Sequence, residues 1–409
     1  MKFYRETEFQ ETEIGKIPKE WKVTKLGEIA KIIMGQSPPS ETYNKDGVGM
    51  PFLQGKMEFG RIYPSPSMYT TKPIKIAEPN DILISVRAPV GDVNITPFKL
   101  CIGRGLAAIR FNMVLASNLF YFYYLQWSKN RLEIIGKGST FKAITIEDLK
   151  DFKVTYPPYN EQQKLAEILS TVDRAIEDVD KTIARLERLK KALMGELLTG
   201  RIRVKEVDGK LTFYRETEFQ ETDIGKIPID WKIKKLGDLL EFAHGKRPEM
   251  LLTEGIPIYG AGGFYGYTNT YLVNKPAILV IARVGKGSVG KVYLVRGSVW
   301  ITDNAIYGYS KDPNGVTTTY AYYRLIFDKN WVEKYARRSA GGYAIITLDS
   351  LKNLKIPVPT ISEQVNIVNV VSLFIKVIEL YHEEKRRLEH LKRGLMDLLL
   401  TGKISVRGD

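Results

Sequence analysis

Residues 3–29 read FYRETEFQETEIGKIPKEWKVTKLGEI, and residues 213–239 read FYRETEFQETDIGKIPIDWKIKKLGDL. Twenty of these 27 positions are identical, and most of the others are conservative exchanges. The chain is therefore two copies of one unit. The copies also share their ends: residues 197–204 read LLTGRIRV and residues 399–406 read LLTGKISV. The head recurs at an offset of 210 residues and the tail at 202, so the second middle segment is eight residues shorter. Between head and tail the copies look unlike each other. This is not the short period of a solenoid; it reads as one mount carrying two different tools, the alternative being a duplicated structural protein whose middles drifted freely.

Each copy closes with a long helical pattern. The first follows Pro157 and Pro158, with Asn160 as expected N-cap and Gln163 at the capping-box position. Leu169, Val172, Ile176, Val179, Ile183 and Leu186 then alternate spacings of three and four, and Thr199-Gly200 ends the run. The second follows Pro359, with Ser362 as expected N-cap. Its seam is read as Val370, Phe374, Val377, Tyr381, Leu388, Leu391, Leu395 and Leu398, with Glu384 as the polar member. Helices of nearly forty residues span roughly 50–60 Å. Seams this long need partners, and the two copies can supply one each as a coiled coil within the chain. A homodimer through the same seams is the alternative.

The 409 residues carry a formal charge of +14. Residues 161–198 have a net charge of −1 and residues 363–400 a net charge of zero, which leaves +15 for the rest of the chain. The positive excess sits outside the helices and points to a polyanion such as nucleic acid. A single Cys101 excludes internal disulfides, and three scattered histidines do not fit the usual zinc patterns. No run of about 18 apolar residues suggests a membrane span, and Met1–Gln10 does not read as a signal peptide. The expected compartment is the cytoplasm.

The globular segments alternate short apolar runs with Gly and Pro. Asp81–Arg87 and Ala277–Arg283 read as buried strands. One helix is expected in each segment, over residues 117–130 and 318–329, and their aromatic residues are read as core. The expected fold class is α+β, with mixed domains built on a strongly bent sheet. Cations beside glycines mark candidate DNA contacts, because Gly lets a backbone approach phosphates that the cations neutralise. They are Arg104, Lys137, Lys142, Lys246, Arg247, Arg337 and Arg338, joined by Arg87 and Arg283 at equivalent strand ends and by Lys286 and Lys291 in a glycine turn.

Two motifs imitate active sites. Residues 285–291 fit the GxxxxGK of a phosphate loop, but Val292 stands where Ser or Thr would hold magnesium, and Tyr293–Val295 reads as a strand instead of the required helix. The same place in the first copy is Val90-Gly-Asp-Val93, with aspartate for lysine. Tyr156-Pro-Pro-Tyr159 imitates the PPY core of adenine methyltransferases, but Tyr156 replaces the residue that would grip the amino group. No S-adenosylmethionine fingerprint precedes it. A rigid link from strand to helix explains both copies, and neither catalytic residues nor a cofactor are expected.

The twin heads Ile14–Trp21 and Ile224–Trp231, the helix start at Pro157-Pro158 with Glu161-Gln162-Gln163, and the repeated Leu-Leu-Thr-Gly tails resemble the specificity subunits of type I restriction-modification systems. Ser362-Glu-Gln-Val365 departs from the pattern in lacking the double proline. The resemblance implies two target-recognition domains, residues 1–158 and 201–360, reading the halves of a split, asymmetric double-stranded DNA site. It implies that spacer helices within 159–200 and 361–409 pack antiparallel and set the gap between half-sites. It also implies docking of two methyltransferase subunits, joined by restriction (translocase) subunits, which carry the chemistry. A free-standing DNA-binding regulator is the alternative, followed by a methyltransferase or nuclease with an unrecognised motif.

Overall fold

The structure, a computed structural model, describes residues 2–136, 143–283, 289–328, 330–331, 336–338 and 344–407. The chain divides into two compact units: Met1–Asp180 with Glu383–Asp409, and Lys181–His382. Both are built to one plan. In unit one an antiparallel sheet runs in the order Val93–Ile95, Ile82–Ser85, Leu106–Phe111, Ala30–Met34. In unit two the order is Val292–Val295, Ala277–Ile281, Ala305–Ser310, Leu240–His244. A second sheet in each contains a parallel pair: Met50–Leu53 beside Leu100–Ile102, and Ile256–Gly260 beside Trp300–Ile301.

The continuous apolar runs have a physical cause. Ile82 and Ile84 face a core containing Phe120 and Tyr121, while Leu83 faces Leu53, Leu100 and Ile102 of the second sheet. Ile278 and Val280 likewise meet Tyr320 and Tyr323, while Leu279 and Ile281 meet Val299 and Ile301. A strand covered on both faces has no polar side to alternate with. The mixed helix-and-sheet class is as expected. The single bent sheet is not: two smaller sheets replace it, because each central strand needs a layer on either side.

The aromatic helices are Asn118–Trp127 and Thr318–Phe327. Phe120 to Tyr124 are fully buried, as are Tyr320 and nearly all of Tyr323, so the aromatic runs are core. Tyr121 and Tyr320 donate their hydroxyls to the Thr155 and Pro357 carbonyls at 3.0 and 2.9 Å. The expectation of one helix per segment is too low. Ile146–Asp151 and Leu348–Lys352 are further short helices, started by Thr145 and Thr347. Thr145 and Asp148 form a capping box that the sequence displays openly.

The long helices are Tyr159–Leu198 and Ile361–Leu399. Asn160 is the second helical residue and not the cap, because the turn already closes on the Pro158 carbonyl. Thr360 replaces Ser362 at the second start, its Oγ1 accepting from the Glu363 amide at 3.4 Å. In unit one Asp173 pairs with Lys392 at 2.8 Å and Asp180 with Lys385 at 2.6 Å, so the two helices run antiparallel there. Leu169, Ile176 and Ile183 are buried as the first seam requires. The second seam holds in part: Val370 is buried as expected, and Phe374 and Leu395 pack against the cores, but other positions depart from the expected phase. Leu391 is 50% exposed, with Tyr381 and Leu398 also exposed, whereas Ile367, Val371, Ile378, Lys392, Met396 and Leu399 are buried. A buried lysine, Lys392, hides the phase of the C-terminal half. By length and composition Ile361–Leu399 could cross a membrane, but its Ile367, Val370 and Val371 lie in the unit-two core.

Each head closes on the tail of the other copy. Strand Lys2–Arg5 pairs with Ile404–Arg407 in unit one, and Lys210–Arg215 with Ile202–Val207 in unit two. Gly402 (φ +68°) lies under Pro18 and Trp21, and Gly200 (φ +73°) lies under Pro228 and Trp231. Trp21 and Trp231 donate their indole N–H groups to Glu161 and Glu363 at 2.9 and 3.2 Å. The heads are alike because they make the same contacts. A Cβ on Gly402 would come within 2.3 Å of Pro18. Gly402→Ala is expected to cost about 2–4 kcal/mol, the left-handed penalty plus overpacking. Thermal unfolding of the variant checks this, and an unchanged melting curve would refute it.

Candidate nucleic-acid interface

One backbone frame recurs at the sheet ends of both units. In unit one the amides of Gly103, Gln36, Leu106 and Val86 donate to the carbonyls of Leu53, Ile102, Gly103 and Gly105. In unit two the amides of Thr302, Lys246, Ala305 and Ala282 donate to those of Tyr259, Ile301, Thr302 and Asn304. Gly35 and Gly245 sit at the tightest point, where an added Cβ would lie 2.1 Å from the carbonyl oxygen of Gly103 or Thr302. The frame holds the turn at residues 103–105 beside residue 87, and the turn at 302–304 beside residue 283.

Arg87 and Arg283 occupy matching places. Each follows a buried residue whose carbonyl accepts an amide from the next segment, Ile144 to Val86 and Ile346 to Ala282. Both arginines are exposed. Arg104 is exposed in the turn one residue before Gly105, and its amide donates to Ser37 Oγ at 3.2 Å. Lys246 and Arg247 are exposed beside the matching turn of unit two. Arg337 and Arg338 form a two-residue strand paired with Ala344–Ile345, which leads into Ile346 beside Ala282. Lys291 is exposed on the hairpin between Ala277–Ile281 and Val292–Val295, where its carbonyl accepts from the Ile281 amide, one residue before Ala282 of the frame. Lys137, Lys142 and Lys286 lie outside the described residues.

Ion pairing separates two sets of cations. Asp92 holds both Lys56 and Lys129. Partial burial pushes its carboxyl up, but these two lysines hold it below the usual carboxylate range. Arg61 is held by Asp180 and Arg110 by Asp81. Among the described residues, Arg87, Arg104, Lys246, Arg247, Arg283 and Lys291 make no ion pair. Exposed cations without carboxylates are available to phosphates or base edges.

Residues 285–288 of the first imitation motif lie outside the described residues, and the rest of both motifs sits in strand and link structure. Gly290-Lys291 leads into strand Val292–Val295, and Asp92 stands where Lys291 does, because Gly91 and Gly290 make the same turn bond to Ser85 and Ile281. Tyr156 ends strand Lys153–Tyr156 and donates its hydroxyl to the Leu115 carbonyl. The prolines serve as a link: Gln162 Nε2 donates to the Pro157 carbonyl and its Oε1 accepts from the Ser117 amide. Gln364 repeats this with Pro359 and Thr317.

The frame of unit two opens into a concavity of about 660 Å³ lined by Arg247, Met250, Leu251, Phe264, Tyr265, Asp303 and Asn304, among others. Phe264 and Tyr265 are 55% and 61% exposed. The candidates drawn from charge alone omitted these two aromatics. Their signal is the run Tyr259-Gly-Ala-Gly-Gly-Phe-Tyr265, a glycine turn carrying large exposed rings.

The family model described as "Type I restriction modification DNA specificity domain" matches residues 18–188 and 228–390. The chain belongs to that family and carries two of its domains. A protein of Methanocaldococcus jannaschii, provisionally named as the MjaX specificity subunit of a type I restriction enzyme, is 56% identical over 199 residues. That match spans 48% of this chain and about half, 47%, of the relative's length. The type I restriction enzyme MjaVIII specificity subunit of the same organism is 24% identical over all of this chain and 98% of its own. The crystal structure of a type I restriction-modification S subunit from M. genitalium shares the fold, with a TM-score of 0.62 at 19% identity over 93% of this chain and 96% of that one.

Proposed function

We propose that the chain is the DNA-reading subunit of a type I restriction-modification complex and performs no chemistry itself. Residues 1–158 and 201–360 act as two recognition domains, each reading one half of a split double-stranded site. The observation that carries this reading is one backbone frame repeated in both units and dressed with different exposed side chains. Identical mounts with different reading residues call for two different half-sites, hence an asymmetric target. The partners are DNA, two methyltransferase subunits and restriction subunits. The helices act as the ruler between half-sites, and the complex works in the cytoplasm.

Arg87 and Arg283 are the cations best placed to reach base edges. An arginine bidentate to guanine contributes about 1–3 kcal/mol of discrimination. Arg87→Ala and Arg283→Ala are each expected to weaken specific binding by about 10- to 100-fold. Anisotropy titration of the complex assembled with its methyltransferase subunits measures this. Equal loss on specific and random DNA would assign these residues to phosphates, and no loss would remove them from the interface. The purified chain is expected to bind neither S-adenosylmethionine nor ATP, and calorimetric binding of either would favour the enzyme alternative.

A further inference from the structure

The matched hydrogen bonds align the two turns residue by residue. Gly103 corresponds to Thr302, because each accepts the amide of the residue three positions on, Leu106 or Ala305. Gly105 corresponds to Asn304, because each accepts the amide of the residue after the central strand, Val86 or Ala282. Arg104 therefore corresponds to Asp303. The backbone position is the same, and the charge is opposite.

Both side chains are exposed, and among the described residues neither has an ion-pair partner. Asp303 lines the unit-two concavity together with Arg247, Phe264, Tyr265 and Asn304. A carboxylate is repelled by phosphates, so an aspartate set among exposed cations is poorly suited to backbone contact. It is suited to accept from an exocyclic amine on a base edge. Asn304 beside it offers an acceptor and a donor, the pair that matches adenine N6 and N7. Arg104 offers only donors, the match for guanine O6 and N7.

We infer that this turn position is a specificity switch, reading guanine through Arg104 in unit one and an amine-bearing base through Asp303 and Asn304 in unit two. The inference rests on the proposed DNA-reading role. The test maps methylated adenines in cells carrying the complete system with wild-type, Arg104→Ala, Asp303→Ala or Asp303→Asn chains. Arg104→Ala relaxes one guanine position in one half-site, by about 10- to 100-fold in preference, and leaves the other half-site and the gap unchanged. Asp303→Ala relaxes one adenine or cytosine position in the opposite half-site, and the base that loses preference identifies which is read. Asp303→Asn keeps an acceptor and retains part of the preference.

An unchanged motif in the alanine variants overturns the inference. So does a uniform fall of methylation across all sites by chains whose melting temperature is unaltered, because that marks a phosphate or assembly role. A wild-type system producing no split motif would defeat the DNA-reading role itself, and is distinguishable from both.

Discussion

Asp173→Ala is expected to destabilise unit one by about 3–5 kcal/mol, the cost of leaving one member of a buried ion pair without its partner. Asp173 is 1% exposed and Lys392 9%. Lys392 Nζ lies 2.9 and 2.8 Å from the two carboxylate oxygens. The Tyr123 hydroxyl donates to the same carboxylate at 2.8 Å, and Gln126 accepts from the lysine at 3.0 Å. Removing the carboxylate leaves a buried ammonium with Gln126 and the Tyr123 ring, and takes from Arg61 a contact at 3.7 Å. The double variant Asp173→Leu with Lys392→Leu should recover most of the loss, because it removes both charges and keeps volume in the seam. Thermal unfolding followed by limited proteolysis reads the effect unit by unit. A single variant within about 1 kcal/mol of the parent would contradict the role given to this pair.

Arg203→Ser should destabilise unit two by a similar amount, about 3–5 kcal/mol. Arg203 is 6% exposed and meets three carboxylates: Glu363 at 2.5 and 2.7 Å, Asp230 at 3.0 and 2.9 Å, and Glu216 at 2.5 Å. Burial works against its charge, but these partners hold its pKa above the ordinary arginine value. Its guanidinium also sits over the Trp231 ring at 5.6 Å, so it ties tail, head and helix start together. Unit one has Ser405 at this place, with its hydroxyl buried and unpaired. Ser405→Ala should therefore change stability by less than about 1 kcal/mol, since no hydrogen bond is lost. Equal costs for the two substitutions would contradict this division.

Much of the architecture was legible because it rests on repetition and periodicity. The twin heads announced two units, and the apolar runs at Ile82–Ser85 and Ala277–Ile281 announced central strands. The aromatic runs at Phe120–Tyr124 and Tyr320–Tyr323 were core on grounds of size alone. Two features escaped for physical reasons. Lys392 is a seam residue whose partner, Asp173, lies 219 positions away, so its burial has no local signal. The crossed closure of each head on the other copy's tail is invisible for the same reason, since both heads match both tails equally well. Of the proposed DNA contacts, Arg87 and Arg283 were marked in the sequence by their shared strand-end position. Asp303 was not, because a search for cations passes over a carboxylate.

Mapping of methylated adenines across the host genome, with this gene intact and with it deleted, tests the reading most directly. A split motif with unlike halves and a fixed gap, lost on deletion and restored by the gene in trans, is the expected result. A palindromic or continuous motif, or a methylation pattern unchanged by deletion, would contradict it.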